Sequence, residues 1–165
     1  MQTCECWNRS ILEDHRLLEC QKEALKSFLE HPEGPRDRRV HVSKILGSLD
    51  PCLRLHLQKE EQTLFPAFGR LPGSPRVTSQ ALRTQHDDLR VLLDRLAGLL
   101  ADRENSSWEE IAAAGEALVA LLEDHEEKEG RFLSDILEFY LQPEQLSELA
   151  RRYKEASLCA CEEAP

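Results

Sequence analysis

The chain has 165 residues, of which 41% are hydrophobic, 5% aromatic and 32% charged. That suffices for one domain with a single sizeable core, and apolar positions filled by Leu and Ala favour helices over sheet. A formal charge of −10, with no basic stripe, argues against a nucleic-acid partner, and no apolar run approaches the roughly 20 residues that cross a bilayer.

The first residues, Met1-Gln2-Thr3-Cys4-Glu5-Cys6-Trp7, lack the basic head and apolar stretch of a secretory signal. The expected compartment is the cytoplasm, where six cysteines stay reduced. A first helix is predicted from Ser10 to His31. Ser10 with Glu13 reads as a capping box, and Ile11, His15, Leu18, Leu25 and Leu29 form one stripe that Lys22 interrupts. A second helix runs from Pro35 to Phe68, with Ile45, Leu49, Leu53, His56, Glu60 and Leu64 on one face. Pro51 lies within it and is expected to kink or split it, since proline offers no N–H and crowds the preceding turn.

After the turn Gly69 to Pro75, a third helix spans Thr78 to Asp102, with Leu82, His86, Leu89, Leu93, Leu96 and Leu100 inward. Asn105-Ser106-Ser107 breaks the chain, and Ser107 with Glu110 gives a second capping box. The fourth helix is predicted to reach Leu141, with Ile111, Ala114, Leu118, Leu122, His125, Glu129, Phe132, Ile136 and Tyr140 on its face. A short fifth helix over 143–157 opens at Pro143 and presents Leu146, Leu149 and Tyr153; residues 158–165 read as a loose tail. Four long helices with short connections, about residues 8–141, fold most simply as an all-α, antiparallel up-down-up-down four-helix bundle, here with an added C-terminal helix.

Four of the six histidines, His15, His56, His86 and His125, fall on the inward face, one per long helix. Two of them are followed four residues later by a glutamate: His56 by Glu60, and His125 by Glu129. Residues i and i+4 stack on one helix face, so an imidazole and a carboxylate can share an ion. One such pair is commonly a surface feature, and a lone inward histidine is commonly a hydrogen-bonded core residue. Here the coincidence across four helices carries the weight. Carboxylates in an apolar interior are costly unless they are paired or bind a cation. Levels also match: His56 and His86 lie 17 and 13 residues from Gly73, and His86 and His125 lie 20 and 19 residues from Ser106.

The order His…His-x-x-x-Glu…His…His-x-x-x-Glu resembles the hemerythrin-like (HHE cation-binding) domain. Its most specific local pattern is the stretch His56-Leu-Gln-Lys-Glu60-Glu61-Gln-Thr-Leu-Phe65-Pro66. The resemblance covers about Ser10 to Tyr153. It implies two iron ions joined by an oxo or hydroxo bridge, with His15, His56, His86 and His125 as terminal ligands and Glu60 and Glu129 as bridging ones; other divalent metals fit the same donors. Arg90 and Gly130 stand where oxygen carriers of the family place a further His and an Asp. This chain is similar instead to the four-His, two-Glu subgroup, which includes iron-centre repair proteins linked to nitrosative stress and iron-sensing domains of some ubiquitin ligases. Fewer protein ligands leave more open metal positions, which favours redox, sensing or NO chemistry over oxygen carriage.

The implied function is binding of, or reaction with, O2, NO or peroxide in sensing or stress response, with a redox or iron-acceptor protein as partner. The alternatives are iron donation for repair of damaged iron centres, and a metal-clamped interaction module; whether a reaction is catalysed stays open. Neither Glu-x-x-His nor His-Glu-x-x-His occurs, which removes the ferritin-like di-iron and common zinc protease patterns. Cys4-Glu-Cys6 and Cys159-Ala-Cys161 are expected at one end of the bundle, where they could form a second metal or redox site. Cys20 and Cys52 are expected to be buried small hydrophobes.

Overall fold

The computed structural model describes residues 9–31, 38–69, 76–133 and 138–159. Four long helices make the body: α1 (Arg9–Glu30), α2 (Arg38–Lys59), α3 (Arg76–Ala101) and α4 (Trp108–Phe132). Each packs on the next, and α4 closes the ring on α1. α5 (Pro143–Cys159) lies against α1, α2 and the continuation of α2. No strand occurs among the described residues, and no helix there is long and apolar enough to cross a membrane.

Local chemistry explains the start of α4. Ser107 caps α4: its hydroxyl accepts from the Glu110 N–H at 3.2 Å, while the Glu110 carboxylate accepts from the Ser107 N–H at 2.8 Å. Arg39 reaches across from α2 to the same corner, donating to the Leu99 carbonyl at 3.2 Å and to the Ser106 hydroxyl at 2.9 Å. The capping box expected at Ser10 does not form, because α1 already begins at Arg9 and Glu13 pairs with the Arg9 guanidinium at 3.1 Å.

Pro51 does not split α2, which runs unbroken from Arg38 to Lys59. The departure from α geometry comes at Glu60–Leu64, a π-helical turn followed by a further α-turn at Phe65–Phe68. Pro66 accounts for it: proline cannot donate to the carbonyl four residues back, at Gln62, and its ring crowds that group. Thr63 donates its hydroxyl to the Lys59 carbonyl at 2.6 Å, which satisfies one acceptor at the irregular turn.

α4 is regular through Phe132 and helix is described again at Glu138–Tyr140, before α5; residues 134–137, including Ile136, lie outside the described residues, and the expected run to Leu141 falls partly on them. Tyr140, expected inward, is exposed beside Phe139. Cys20 and Cys52 are exposed as well. Cys20 follows the buried Leu18 by two positions, roughly 200° round the helix, which puts it on the solvent side. Lys22 sits buried on the inward stripe of α1, where its ammonium pairs with Glu126 of α4 at 2.5 Å and with Glu19.

The core falls into two apolar clusters. One contains Leu18, Leu53, Leu57, Leu89 and Leu122 and extends to Phe28 and Ile111. The other contains Ile11, Leu64, Phe65, Phe68, Leu82 and Phe132, with Leu146, Leu149 and Tyr153 from α5. The inward histidines lie between them: Leu18, Leu53, Leu89 and Leu122 are three residues from a histidine on one side, and Ile11 and Leu82 are four residues away on the other.

Gly47 and Gly98 sit in helix interiors, exposed, and an added Cβ would meet nothing within 4 Å at either. Gly47→Ala and Gly98→Ala are each expected to raise stability by about 0.5–1 kcal/mol through backbone entropy. The check is a higher denaturant midpoint at unchanged slope.

Candidate metal centre

All six residues singled out by the sequence converge. His15, His56, Glu60 and Glu129 offer ligand atoms within 4.8 Å of one another, and so do Glu60, His86 and His125. The two groups are alike in form. The His15 and His56 rings stand edge to face at 4.9 Å, and the His86 and His125 rings repeat that distance and the same 71° angle. Glu60 belongs to both groups: its Oε1 lies 2.9 Å from His56 Nε2, and its Oε2 lies 3.1 Å from His86 Nε2. Glu129 Oε2 lies 3.0 Å from His15 Nε2, 3.8 Å from His56 Nε2 and 4.0 Å from His125 Nε2.

These distances are short, yet most of the atoms miss hydrogen-bond geometry. Among the described residues, nine buried side-chain nitrogens and oxygens lack a hydrogen-bond partner, and seven of them belong to His15, His56, Glu60, His125 and Glu129. An unsatisfied buried polar atom costs about 1–3 kcal/mol. Seven together rival the whole stability of an ordinary domain, roughly 5–15 kcal/mol. Lone pairs that face a common space rather than each other suit a cation, and the donor set of imidazole and carboxylate suits a transition metal.

Charge reinforces this. Burial favours neutral Glu60, but the charge of His56 close by and the contact with His86 Nε2 outweigh it and hold the carboxyl well below its ordinary value. Burial likewise opposes a charge on His15 and His56, but Glu129 and Glu60 lift His15 above, and His56 well above, the ordinary imidazole value. For His125 burial wins and pushes it down to about 4, so it is a neutral imidazole at neutral pH.

Outer contacts orient two of the imidazoles. His86 Nδ1 lies 2.8 Å from Glu61 Oε1, and Arg90 donates to the same oxygen at 2.8 Å. Arg90 therefore holds an outer carboxylate. His56 Nδ1 lies 3.0 Å from the Tyr153 hydroxyl, whose proton goes to Asp14 Oδ2 at 3.0 Å. Burial first, then the charges of Glu60 and Asp14, keep the Tyr153 phenol far above its ordinary value.

The family model for the hemerythrin HHE cation binding domain matches residues 8–129 and again 77–160. The chain belongs to this family. No curated protein and no solved structure matches at a significant level. Membership brings cation binding, and the histidines and glutamates that meet in the bundle form groups able to hold a metal ion.

Glu61, Asp14 and Tyr153 were not anticipated as part of the hemerythrin-like centre. Asp14 and Glu61 each adjoin a predicted ligand, which is the one signal the sequence carried. Cys4, Cys6 and Cys161 lie outside the described residues, as does the side chain of Cys159. His41, one of the two histidines outside the ligand set, stacks on Phe28 at 4.3 Å.

Proposed function

We propose that the chain holds two iron ions, one between His15 and His56 and one between His86 and His125, with Glu60 shared by both and Glu129 on the side of His15 and His56. The centre binds or reacts with O2, NO or peroxide in sensing or stress response. The observation that carries this reading is the placement of the two Glu60 oxygens, one against each histidine pair. Four imidazoles and two carboxylates supply at most eight donor atoms, where two octahedral ions take about twelve, so positions stay open for a small ligand. Bound iron supplies redox chemistry at those positions.

The chain's own residues control access. Leu57 and Leu89 on one side and Leu64, Phe65 and Phe132 on the other keep bulk water away. His15 is the exception, 22% exposed against 2% or less for the other five side chains. It lines a cleft of about 260 Å³ with Leu12, Arg16, Glu19 and Glu126, which supports entry between α1 and α4.

Protein purified in air is expected to contain about two irons per chain, with near-ultraviolet charge-transfer bands that change on adding NO. Metal-free protein of full stability, or iron-loaded protein indifferent to NO and peroxide, overturns the reading. Iron passing readily to an apo iron–sulfur acceptor, with no NO response, would favour donation instead.

A further inference from the structure

We propose that Tyr153 of α5 is a positioning residue for the metal centre: it fixes the tautomer and orientation of His56, so the four-helix ring needs the fifth helix to hold metal fully. The inference rests on the metal reading above and adds a part to the site from outside the ring.

Four side chains from three helices form a directed chain of hydrogen bonds. Lys59 donates to Asp14 Oδ2 at 2.6 Å, and Tyr153 donates its hydroxyl proton to the same oxygen at 3.0 Å. The phenol oxygen then has only lone pairs to offer His56 Nδ1, 3.0 Å away. Nδ1 must therefore keep its proton, which makes Nε2, on the side facing Glu60 and Glu129, the nitrogen that gives up its proton to take a metal. Without that acceptor, a neutral imidazole is free to place its proton on Nε2, where Glu60 Oε1 waits at 2.9 Å and the proton would compete with a metal. Lys59 also lies over the Tyr153 ring at 5.1 Å, which fixes the ring from its face.

A packing role alone does not account for the arrangement. Tyr153 is fully buried in the apolar cluster with Ile11, Leu64, Leu146 and Leu149, where phenylalanine would fill the same volume with no hydroxyl to desolvate. The partners are also selective: among the described residues His125 Nδ1 is buried with none.

The test titrates the metal-free full chain with cobalt(II) alone, whose visible bands report ligand geometry. Tyr153→Phe is expected to weaken one of the two cobalt equivalents about 10–100-fold and to shift its bands, with helix content unchanged. Leu149→Ala loosens α5 by packing and keeps the hydroxyl, so it should lower the melting temperature and leave the cobalt spectrum as it was. Asp14→Asn leaves the ring in place and disturbs the same relay, and is expected to reproduce the Tyr153→Phe shift. Unaltered affinity and spectrum in Tyr153→Phe overturn the inference, as does a loss in Leu149→Ala that matches it. A wild-type chain that takes up no cobalt or iron overturns the metal reading itself, and this inference with it.

Discussion

With two ions bound as proposed, Glu60→Gln is expected to cost the chain both metal equivalents, whereas Glu129→Gln should cost chiefly the one at His15 and His56. The two glutamates look equivalent in sequence, each four residues after a histidine. Their geometry differs. Glu60 turns one oxygen to each histidine pair, at 2.9 and 3.1 Å, and is common to both ligand groups. Glu129 approaches His15 to 3.0 Å but His125 only to 4.0 Å. An amide keeps the shape of Glu60 and removes the negative charge, so both ions lose a shared anionic donor. The expected drop exceeds the roughly 10–100-fold typical of an outer-contact change. Metal analysis of dialysed variants reads it directly: stoichiometry should fall from two towards zero in Glu60→Gln and towards one in Glu129→Gln. Two tightly held equivalents in Glu60→Gln would sink the bridging role.

The helix-period pattern carried the bundle and all six of these residues, because burial and the i, i+4 stack are properties of the sequence itself. What escaped it depends on where helices sit relative to one another. Glu61 entered only as part of the His56 to Pro66 stretch, with no role of its own, yet it reaches His86 Nδ1 while Glu60 reaches Nε2 of the same ring. Both come from the π-turn, a feature that no propensity marks and that only Pro66, nearly three turns after His56, hints at. Pro51 gave the stronger breaker signal and left its helix intact. Lys22 looked like a flaw in the apolar stripe of α1; its partner Glu126 lies 104 residues away and next to a ligand. Tyr153 was legible as an apolar face residue, while its hydroxyl contact to His56 spans 97 residues. Pairings of that range follow from tertiary packing, which periodicity does not encode. The exposed Cys20 is the contrary case: its angle from Leu18 was available, and chemical type alone gave the wrong side.

Removing the metal is expected to lower the melting temperature and also to reverse its dependence on pH above neutrality. In the metal-free chain His15 is raised above 6.5 and His56 well above it. A group raised on folding contributes stability that is fully present below its unfolded value and is lost as pH climbs through its folded value. Stability should therefore fall on the alkaline side of neutrality. On the acid side, Glu60 is held well below 4.5 and His125 is pushed down to about 4. Both contributions are lost as pH falls, for His125 from 6.5 towards 4 and for Glu60 below 4.5. The metal-free protein thus has its maximum near neutrality. In the loaded protein the same imidazoles must give up their Nε2 protons to the ions, so binding releases protons and strengthens as pH rises. At a thousand-fold excess over the dissociation constant, each bound ion adds about 4 kcal/mol. For a domain of this size that corresponds to roughly 8–16 °C. Thermal unfolding of chelator-treated and reconstituted protein at about pH 6, 7 and 9 separates the two curves. They should diverge above neutrality, loaded level or rising and metal-free falling; parallel curves would mean that protons and metal do not compete for His15 and His56.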